Sequence, residues 1–360
     1  MTVAVLAVLV TLLAAATLAP LSRQTHWWIR DWDFPRLQVA SFALVLLAAE
    51  LWLLDANDSA AQTLLGITLL CLFYQAWWIF PYTRLYPNEV MACPDADAHV
   101  RLRIMTSNVL MTNRNVAGLM ALVRRHDPDV LVTLETNLWW QMQMAPLEAD
   151  YPYRISCPLE NLYGMHVYSR LPLENCSTRF LVQEGVPSMH ATIVLPSGDR
   201  VEAHFLHPAP PSPTENAESS ERDAELLLVA REVAGRRMPL IVAGDLNDVA
   251  WSETTRLFRK ISGLLDPRVG RGMFNTFHAG HWFMRWPLDH LFHSRHFTLS
   301  FIRRLPAFGS DHFPVLVELA LDAARGACQD GLHADANDRK EAEEKIEAEA
   351  ATARVGDKLR

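Results

Sequence analysis

Three apolar runs open the chain, and they constrain its fold more than anything that follows. Residues 1–21 are almost wholly apolar, residues 37–54 are apolar apart from Gln38, Ser41 and Glu50, and residues 60–80 carry only Gln62, Thr63, Thr68 and Gln75 as clearly polar side chains. Each comes close to the ~20 residues a helix needs to cross a bilayer, where it satisfies its own backbone hydrogen bonds. We read three spans. The first run has the small residues Ala14, Ala15 and Ala16 of a signal peptide, but no Lys or Arg precedes it and two more runs follow. The second, shortest run competes with a buried or interfacial helix; as a span, it places Glu50 near one end, as an interfacial or snorkelling residue rather than a proton relay. Trp27, Trp28, Trp32, Trp77 and Trp78 suit an interfacial belt, with ordinary helix packing as the competing reading.

The arginines set an expected orientation. Arg23, Arg30 and Arg36 lie between the first two runs and Arg84 follows the third, whereas the N-terminus and residues 55–59 carry no Lys or Arg. The positive-inside rule places everything after residue 81 in the cytoplasm, with an outward-facing domain as the alternative. A reporter fused after Arg360 distinguishes the two. Charge then narrows the partners. The chain carries a net charge of −8, yet residues 101–320 hold 22 Lys+Arg against 23 Asp+Glu, so the body shows no basic footprint of a nucleic-acid binder. The five cysteines, Cys71, Cys93, Cys157, Cys176 and Cys328, show neither metal-ligand spacing nor a disulfide framework.

We divide the chain into a membrane region (1–80), a proline-containing linker (81–99), a folded domain (100–320) and a tail (321–360) rich in Ala, Glu, Asp and Lys, expected to be solvated or disordered. Within the domain, residues 100–105, 130–134, 165–168, 191–195, 201–206, 240–243, 288–292 and 314–319 read as strands. Residues 115–126, 217–234 and 254–261 read as helices. Residues 274–286, aromatic and punctuated, read as a loop.

Polar residues recur at the ends of these apolar strands: Asn108, Glu135, His207, Asp245, Asn247, Asp289, Asp311 and His312. A carboxylate at the mouth of a core strand is costly to desolvate unless it meets a metal, a cation or a proton donor. Taken together, these groups suit hydrolysis of a phosphate ester with a hard divalent cation. Carboxylates and an amide oxygen bind Mg²⁺ or Mn²⁺, and a His beside a carboxylate handles a proton. Singly, each has a plainer reading: a strand-to-turn junction for GDLN, a helix cap or turn for Ser310-Asp311-His312, a solvated strand end for Glu135, and a loop residue for His207.

The ordered set resembles the endonuclease/exonuclease/phosphatase superfamily, through SNV at 107–109, Glu135 after VLVTL, YSRLPL at 168–173, GDLN at 244–247, LDH at 288–290 and SDHFPV at 310–315. The resemblance implies a four-layer α/β sandwich, two mixed β-sheets flanked by helices, here preceded by three transmembrane helices. It implies that Glu135, with Asn108 beside it and Asp311 on the metal side, holds Mg²⁺ (or Mn²⁺). Asp245 would orient or activate the attacking water, Asn247 hold a phosphate oxygen, and His207 face the phosphate. His312 would contact the phosphate or transfer a proton, paired with Asp289 or supported by Asp311. Leu134 stands where many members have Gln, and Tyr163 and Tyr168 are the candidates for a tyrosine that many nucleases of the family place near the phosphate.

Three functions follow as expectations. The first is a multi-pass protein of a bacterial-type inner membrane whose Mg²⁺-dependent phosphoesterase acts on a phosphate ester or pyrophosphate, lipid-linked because the anchor holds the site near the bilayer. In it His278, His281, Trp282, Phe283, Arg285 and Trp286 form a rim that reads the substrate, unless they pack on the domain; Arg268 and Arg271 assist or sit in a solvated loop. The second is a tethered nuclease acting on DNA or RNA, and the third a membrane scaffold that kept the fold and lost catalysis.

Overall fold

The computed structural model describes residues 1–22, 24–55, 57–93 and 100–358, with side chains placed through residue 350. Arg23 of the orientation rule and residues 94–99 of the expected linker lie outside the described residues. The chain begins with α1 (Thr2–Leu18), the single turn α2 (Trp27–Arg30), α3 (Arg36–Leu53) and α4 (Ser59–Ile79). Among the described residues three helices, α1, α3 and α4, are long and apolar enough to cross a membrane. Leu6, Val10 and Leu13, Val39, Ala43 and Leu46, and Cys71 form their common seam, where small residues allow close approach. Outward they expose Val8, Leu12, Val45, Leu51, Trp52, Leu70 and Phe73, a surface that water disfavours and lipid accepts.

Polar groups on the seam find one another. Thr68 Oγ1 donates to Glu50 Oε1 (3.0 Å), Arg36 Nη1 to Gln75 Oε1 (3.3 Å) and Gln75 Nε2 to Thr17 Oγ1 (3.2 Å). Glu50 is therefore not a snorkelling residue: it is fully buried between helices, because Thr68 offers it a donor there. Arg30 and Arg36 are also buried. Both pair with Asp33, and Arg30 donates to the carbonyls of Pro20, Ser22 and Gln24 beyond α1. The expected tryptophan belt divides, with Trp28, Trp32 and Trp77 exposed and Trp78 under the Arg36 guanidinium, 4.9 Å from its ring centre.

The domain adds β1 (Arg101–Asn108), α5 (Val116–His126), β2 (Val130–Leu134), α6 (Leu138–Met144), β3 (Tyr153–Cys157), β4 (Met165–Ser169), β5 (Leu173–Arg179), β6 (Ser188–Val194) and β7 (Arg200–Leu206). It continues with α7 (Ser220–Val233), β8 (Leu240–Asp245), α8 (Glu253–Ser262), β9 (Asp289–His293), β10 (Phe297–Arg304), β11 (Val315–Leu321), the turn α9 (Ala323–Gly326) and α10 (Ala336–Lys358). The strands form two mixed sheets, ordered β10-β11-β1-β2-β4-β3 and β5-β6-β7-β8-β9. In each, one parallel pair, β1/β2 or β7/β8, is joined through a crossover helix, α5 or α7, and flanked by antiparallel neighbours.

The two-residue period of the strands makes the layers. Leu102 and Ile104, Val130, Val132 and Leu134, Ala203 and Phe205, and Ile241 and Ala243 point between the sheets. The alternate residues Met105, Leu131 and Leu316 meet α5 and α6 outside the first sheet, and Leu240, Val242 and Phe292 meet α7 and α8 outside the second. Helix, sheet, sheet and helix are thus the expected four layers.

Two expected segments differ. Residues 81–93 are no free linker: Val90 is fully buried, Gly270 N donates to Pro81 O (2.8 Å) and Cys93 N to Leu299 O (2.8 Å) along the β10 edge. The acidic tail is not a solvated coil either. α10 buries Ala342 against Leu227 and Leu257 and anchors itself through Lys345–Asp223 (3.1 Å) and Lys260–Asp338 (2.7 Å). Ala342 and Ile346, one turn apart, supply enough apolar surface once two ion pairs flank it.

The apolar bundle sits directly on the domain. Ala40, Ile79 and Tyr82 pack with Val249, Ala250, Trp251, Val269 and Leu288, Trp251 Nε1 donates to Asp33 O (2.9 Å), and Tyr82 donates to Ala250 O. Residues 249–251 lie in the loop that follows β8, so the helices brace the segment that carries Asn247 and begins at Asp245.

Candidate active site

Asn108 ends β1, Glu135 follows β2, His207 follows β7 and Asp245 ends β8, so the C-terminal ends of both parallel pairs meet at one edge of the sandwich. Asp289 pairs with Asp245 across the β8/β9 ladder, and His312 arrives on the turn before β11. Gly244 makes the approach: its φ is +148° and an added Cβ would stand 1.9 Å from Leu206 O. Only glycine lets β8 lie this close to β7 while turning Asp245 into the site.

His312 is the electrostatic centre. Its Nδ1 donates to Asp289 Oδ2 (2.8 Å), and its Nε2 lies 3.4 Å from Asp245 Oδ2. Burial alone would favour the neutral ring, but Asp289 and Asp245 outweigh it and hold the imidazolium up to about 10. Burial likewise opposes the charge on Asp245, yet the charged His312 ring, with hydrogen bonds from Asn247 N and Asn108, keeps it ionised below the usual carboxylate range. Burial raises Asp289 above that range against the pull of His312. His207, with Nε2 3.9 Å from Asp245 Oδ2, is driven down to about 4 by burial and stays neutral.

Glu135 and Asp245 converge on Asn108, whose Nδ2 donates to Glu135 Oε1 (2.7 Å) and Asp245 Oδ2 (3.2 Å). Burial, with Asp311 and Asp245 nearby, pushes Glu135 up to about 7. The His312 imidazolium balances Asp245, but among the described residues Glu135 meets only the neutral amide and a backbone N–H, and the carboxylate oxygens suit a hard divalent ion. Asn108 would first have to turn its amide over, because it presents nitrogen to them and its oxygen accepts from Leu110 N (3.0 Å). The buried trio Asp245, Asp289 and His312 also lies within metal-binding distances, but a ring that faces a carboxylate at each nitrogen is a proton donor, not a ligand. Asp311 reaches the cluster through its charge, and its Oδ1 accepts from Ser310 Oγ (3.3 Å). Asn247 is held with φ +50°, its Nδ2 donating to Pro208 O (2.9 Å).

Several residues with a part in the site were not among its expected members. Ser310 Oγ donates to Asn108 O (2.8 Å) and accepts from His312 N (3.1 Å), tying β1 to the histidine turn. Thr276 Oγ1 accepts from Asp289 N (3.2 Å). Arg222, buried on α7, donates to Asn247 O (2.9 Å) and pairs with Asp223 and Asp248; an alternating SERDAE stretch hides such a residue among ordinary helix charges. Of the two tyrosines, Tyr163 lies tilted 5.4 Å from the His207 ring, whereas Tyr168 is buried in the outer layer beneath α5 and α6.

The expected rim divides as well. Phe277 and Trp286 stack 6.2 Å apart and pack inward, with Phe277 4.9 Å from the His312 ring, while His281, Trp282 and Phe283 are exposed. Arg285 lies over Phe313 at 5.0 Å, occupied by that ring. Arg268 is no solvated residue: it is buried against Asp266 and His290.

A sandwich of two mixed sheets with paired carboxylates, amides and a His–Asp pair at one edge defines the class of metal-dependent phosphoester hydrolases. The chain belongs to the Endonuclease/Exonuclease/phosphatase family, whose model matches residues 105–312. No curated protein matches it. Among solved structures, the fold resembles an endonuclease/exonuclease/phosphatase from Beutenbergia cavernae DSM 12333 (19% identity, 62% of this chain and 72% of that one, TM-score 0.51). It also resembles the human Nocturnin catalytic domain with bound sulfate (18%, 61% and 94%, 0.51) and D. rerio TDP2 complexed with a single-strand DNA product (14%, 61% and 98%, 0.51).

Proposed function

We propose that this protein is a membrane-anchored, divalent-metal-dependent phosphoesterase that hydrolyses a lipid-linked phosphate ester or pyrophosphate at the cytoplasmic face of the bilayer. The observation that carries the lipid assignment is an apolar cleft of about 420 Å³, lined by Trp32, Phe34, Pro35, Phe277, Met284 and Trp286 with Asp31. One wall is the turn that enters α3, at the domain end of the apolar bundle; the other is Phe277, whose ring faces His312. A hydrocarbon chain leaving the bilayer along this cleft ends at the phosphoester site.

In that reading Asp245 takes a proton from water as the water oxygen bonds to phosphorus. The phosphorus–oxygen bond to the leaving group breaks, and the departing oxygen takes a proton from His312, which Asp289 keeps charged. Asn247 and neutral His207 position phosphate oxygens. A divalent ion held by Glu135, Asn108 and Asp311 would supply Lewis-acid stabilisation of the phosphoryl charge. The complete set of these residues at one edge speaks against a scaffold without catalysis.

Trp32→Ala combined with Met284→Ala tests the cleft, since both side chains are partly exposed. The double variant should raise KM for a lipid pyrophosphate about tenfold, as expected for lost apolar burial, and leave KM for a water-soluble phosphodiester unchanged. Equal effects on both substrates would remove the lipid from the cleft.

A further inference from the structure

Beside the domain-proximal end of the bundle lies a second feature that phosphoester hydrolysis does not use. A groove of about 640 Å³ runs between the C-terminal end of β10, the end of α5 and residues 271–275. Arg84, Arg125, His126, Arg271, Arg303 and Arg304 line it, and among the described residues no Asp or Glu does. The near-neutral charge of the domain conceals this local excess.

The cations are held in place without being neutralised. Arg303 stacks on Phe301 at 4.6 Å and Arg304 on Phe313 at 4.3 Å. Arg304 donates to Asn275 O (2.8 Å), and Arg271 donates to Pro267 O (3.3 Å) and to Val90 O. These acceptors are backbone carbonyls, which carry no net charge. Burial, with Arg285 nearby, lowers Arg304; burial lowers Arg271; and burial, with Arg125, Arg303 and Arg103 nearby, lowers His126. An anion in the groove would relieve all three.

We propose that the groove is an anion site distinct from the catalytic edge and that it takes the phosphate of an anionic lipid headgroup. The assignment to lipid rests on reading α1, α3 and α4 as spans. Arg84 follows α4 by five residues, and the apolar side chains around it, Phe80, Leu85 and Tyr86, are exposed. Guanidiniums among exposed aromatic and aliphatic side chains at a helix end match the headgroup layer of a bilayer. An anionic lipid bound here would fix how the domain leans on the membrane, and so where the apolar cleft opens.

The test uses the full chain in a neutral detergent with EDTA, so that it reads binding independently of hydrolysis. Calorimetric titration with dihexanoyl phosphatidylglycerol should saturate, and dihexanoyl phosphatidylcholine should not. Arg125→Gln with Arg303→Gln, both solvent-exposed positions, should weaken the anionic lipid by at least about tenfold, as loss of charge-assisted hydrogen bonds requires, and leave metal-dependent hydrolysis of a soluble phosphodiester unchanged. Equal binding of the two lipids, or wild-type affinity in the double variant, would overturn the site. Equal affinity for inorganic phosphate, or tighter binding of a single-stranded oligonucleotide, would overturn the lipid assignment. Extraction of the chain from membranes by carbonate, measured separately, reads failure of the spans themselves.

Discussion

Asp245→Asn is expected to lower kcat by about 10³-fold, within the range for loss of a positioned acid–base group, while the domain stays folded. The substitution keeps the shape and removes the charge. Asp245 lies where Asn108, Asn247 N, His207 and His312 converge, and the charged His312 ring with these hydrogen bonds holds its carboxylate ionised despite complete burial. An asparagine amide can still accept from Asn247 N, but it cannot take a proton from water. Rates on the preferred substrate together with near-UV circular dichroism decide the matter. Near wild-type turnover in a natively folded variant would remove Asp245 from the mechanism.

His312→Gln should cost about 10²-fold to 10⁴-fold in kcat and also change how stability depends on pH. The ring titrates near 6.5 in an unfolded chain and near 10 in the fold. Its contribution is therefore complete below about pH 6.5 and is lost as pH rises toward 10, where the folded state releases the proton it had retained. One proton gives a slope of at most about 1.4 kcal/mol per pH unit. Thermal midpoints in EDTA should fall more steeply for the wild type than for the variant over this range. Parallel curves would mean that Asp289 and Asp245 do not hold an imidazolium.

Much of this was readable in advance, and physics separates what was from what was not. The strands foreseen, such as residues 130–134 and 240–243, lie inside the sheets with both faces covered, so their apolar runs are continuous. The strands that escaped, β3, β5 and β10, are all sheet edges, where the apolar run is short or, as in LENCSTR, nearly absent. α6 escaped because seven residues are too few for a helical period. The eight residues expected at the site stood out in the sequence because each bounds a buried strand or lies on a turn beside one, where a polar side chain needs a reason. Ser310 was visible within SDHFPV, but its hydroxyl bond to Asn108 O was not; Thr276 acts through a hydroxyl bond to distant backbone and Arg222 from a helix behind the site, and neither leaves a local pattern. The basic groove was invisible for another reason. Its arginines come from four separate segments, and a sum over the domain cancels them against acids elsewhere.

The Asn108 amide, placed as a donor between Glu135 and Asp245, sharpens the metal question. If these carboxylates receive a hard cation, activity should depend on it absolutely. The most direct measurement is release of phosphate or headgroup by the purified full chain from a panel of lipid pyrophosphate, phospholipid, DNA and RNA, in EDTA and after adding back Mg²⁺ or Mn²⁺, with Asp245→Asn as control. Metal-assisted hydrolysis of a lipid-linked phosphate predicts release from a lipid substrate that EDTA stops, Mg²⁺ or Mn²⁺ restores and Asp245→Asn lacks. Undiminished release in EDTA, or release confined to DNA or RNA, would contradict it.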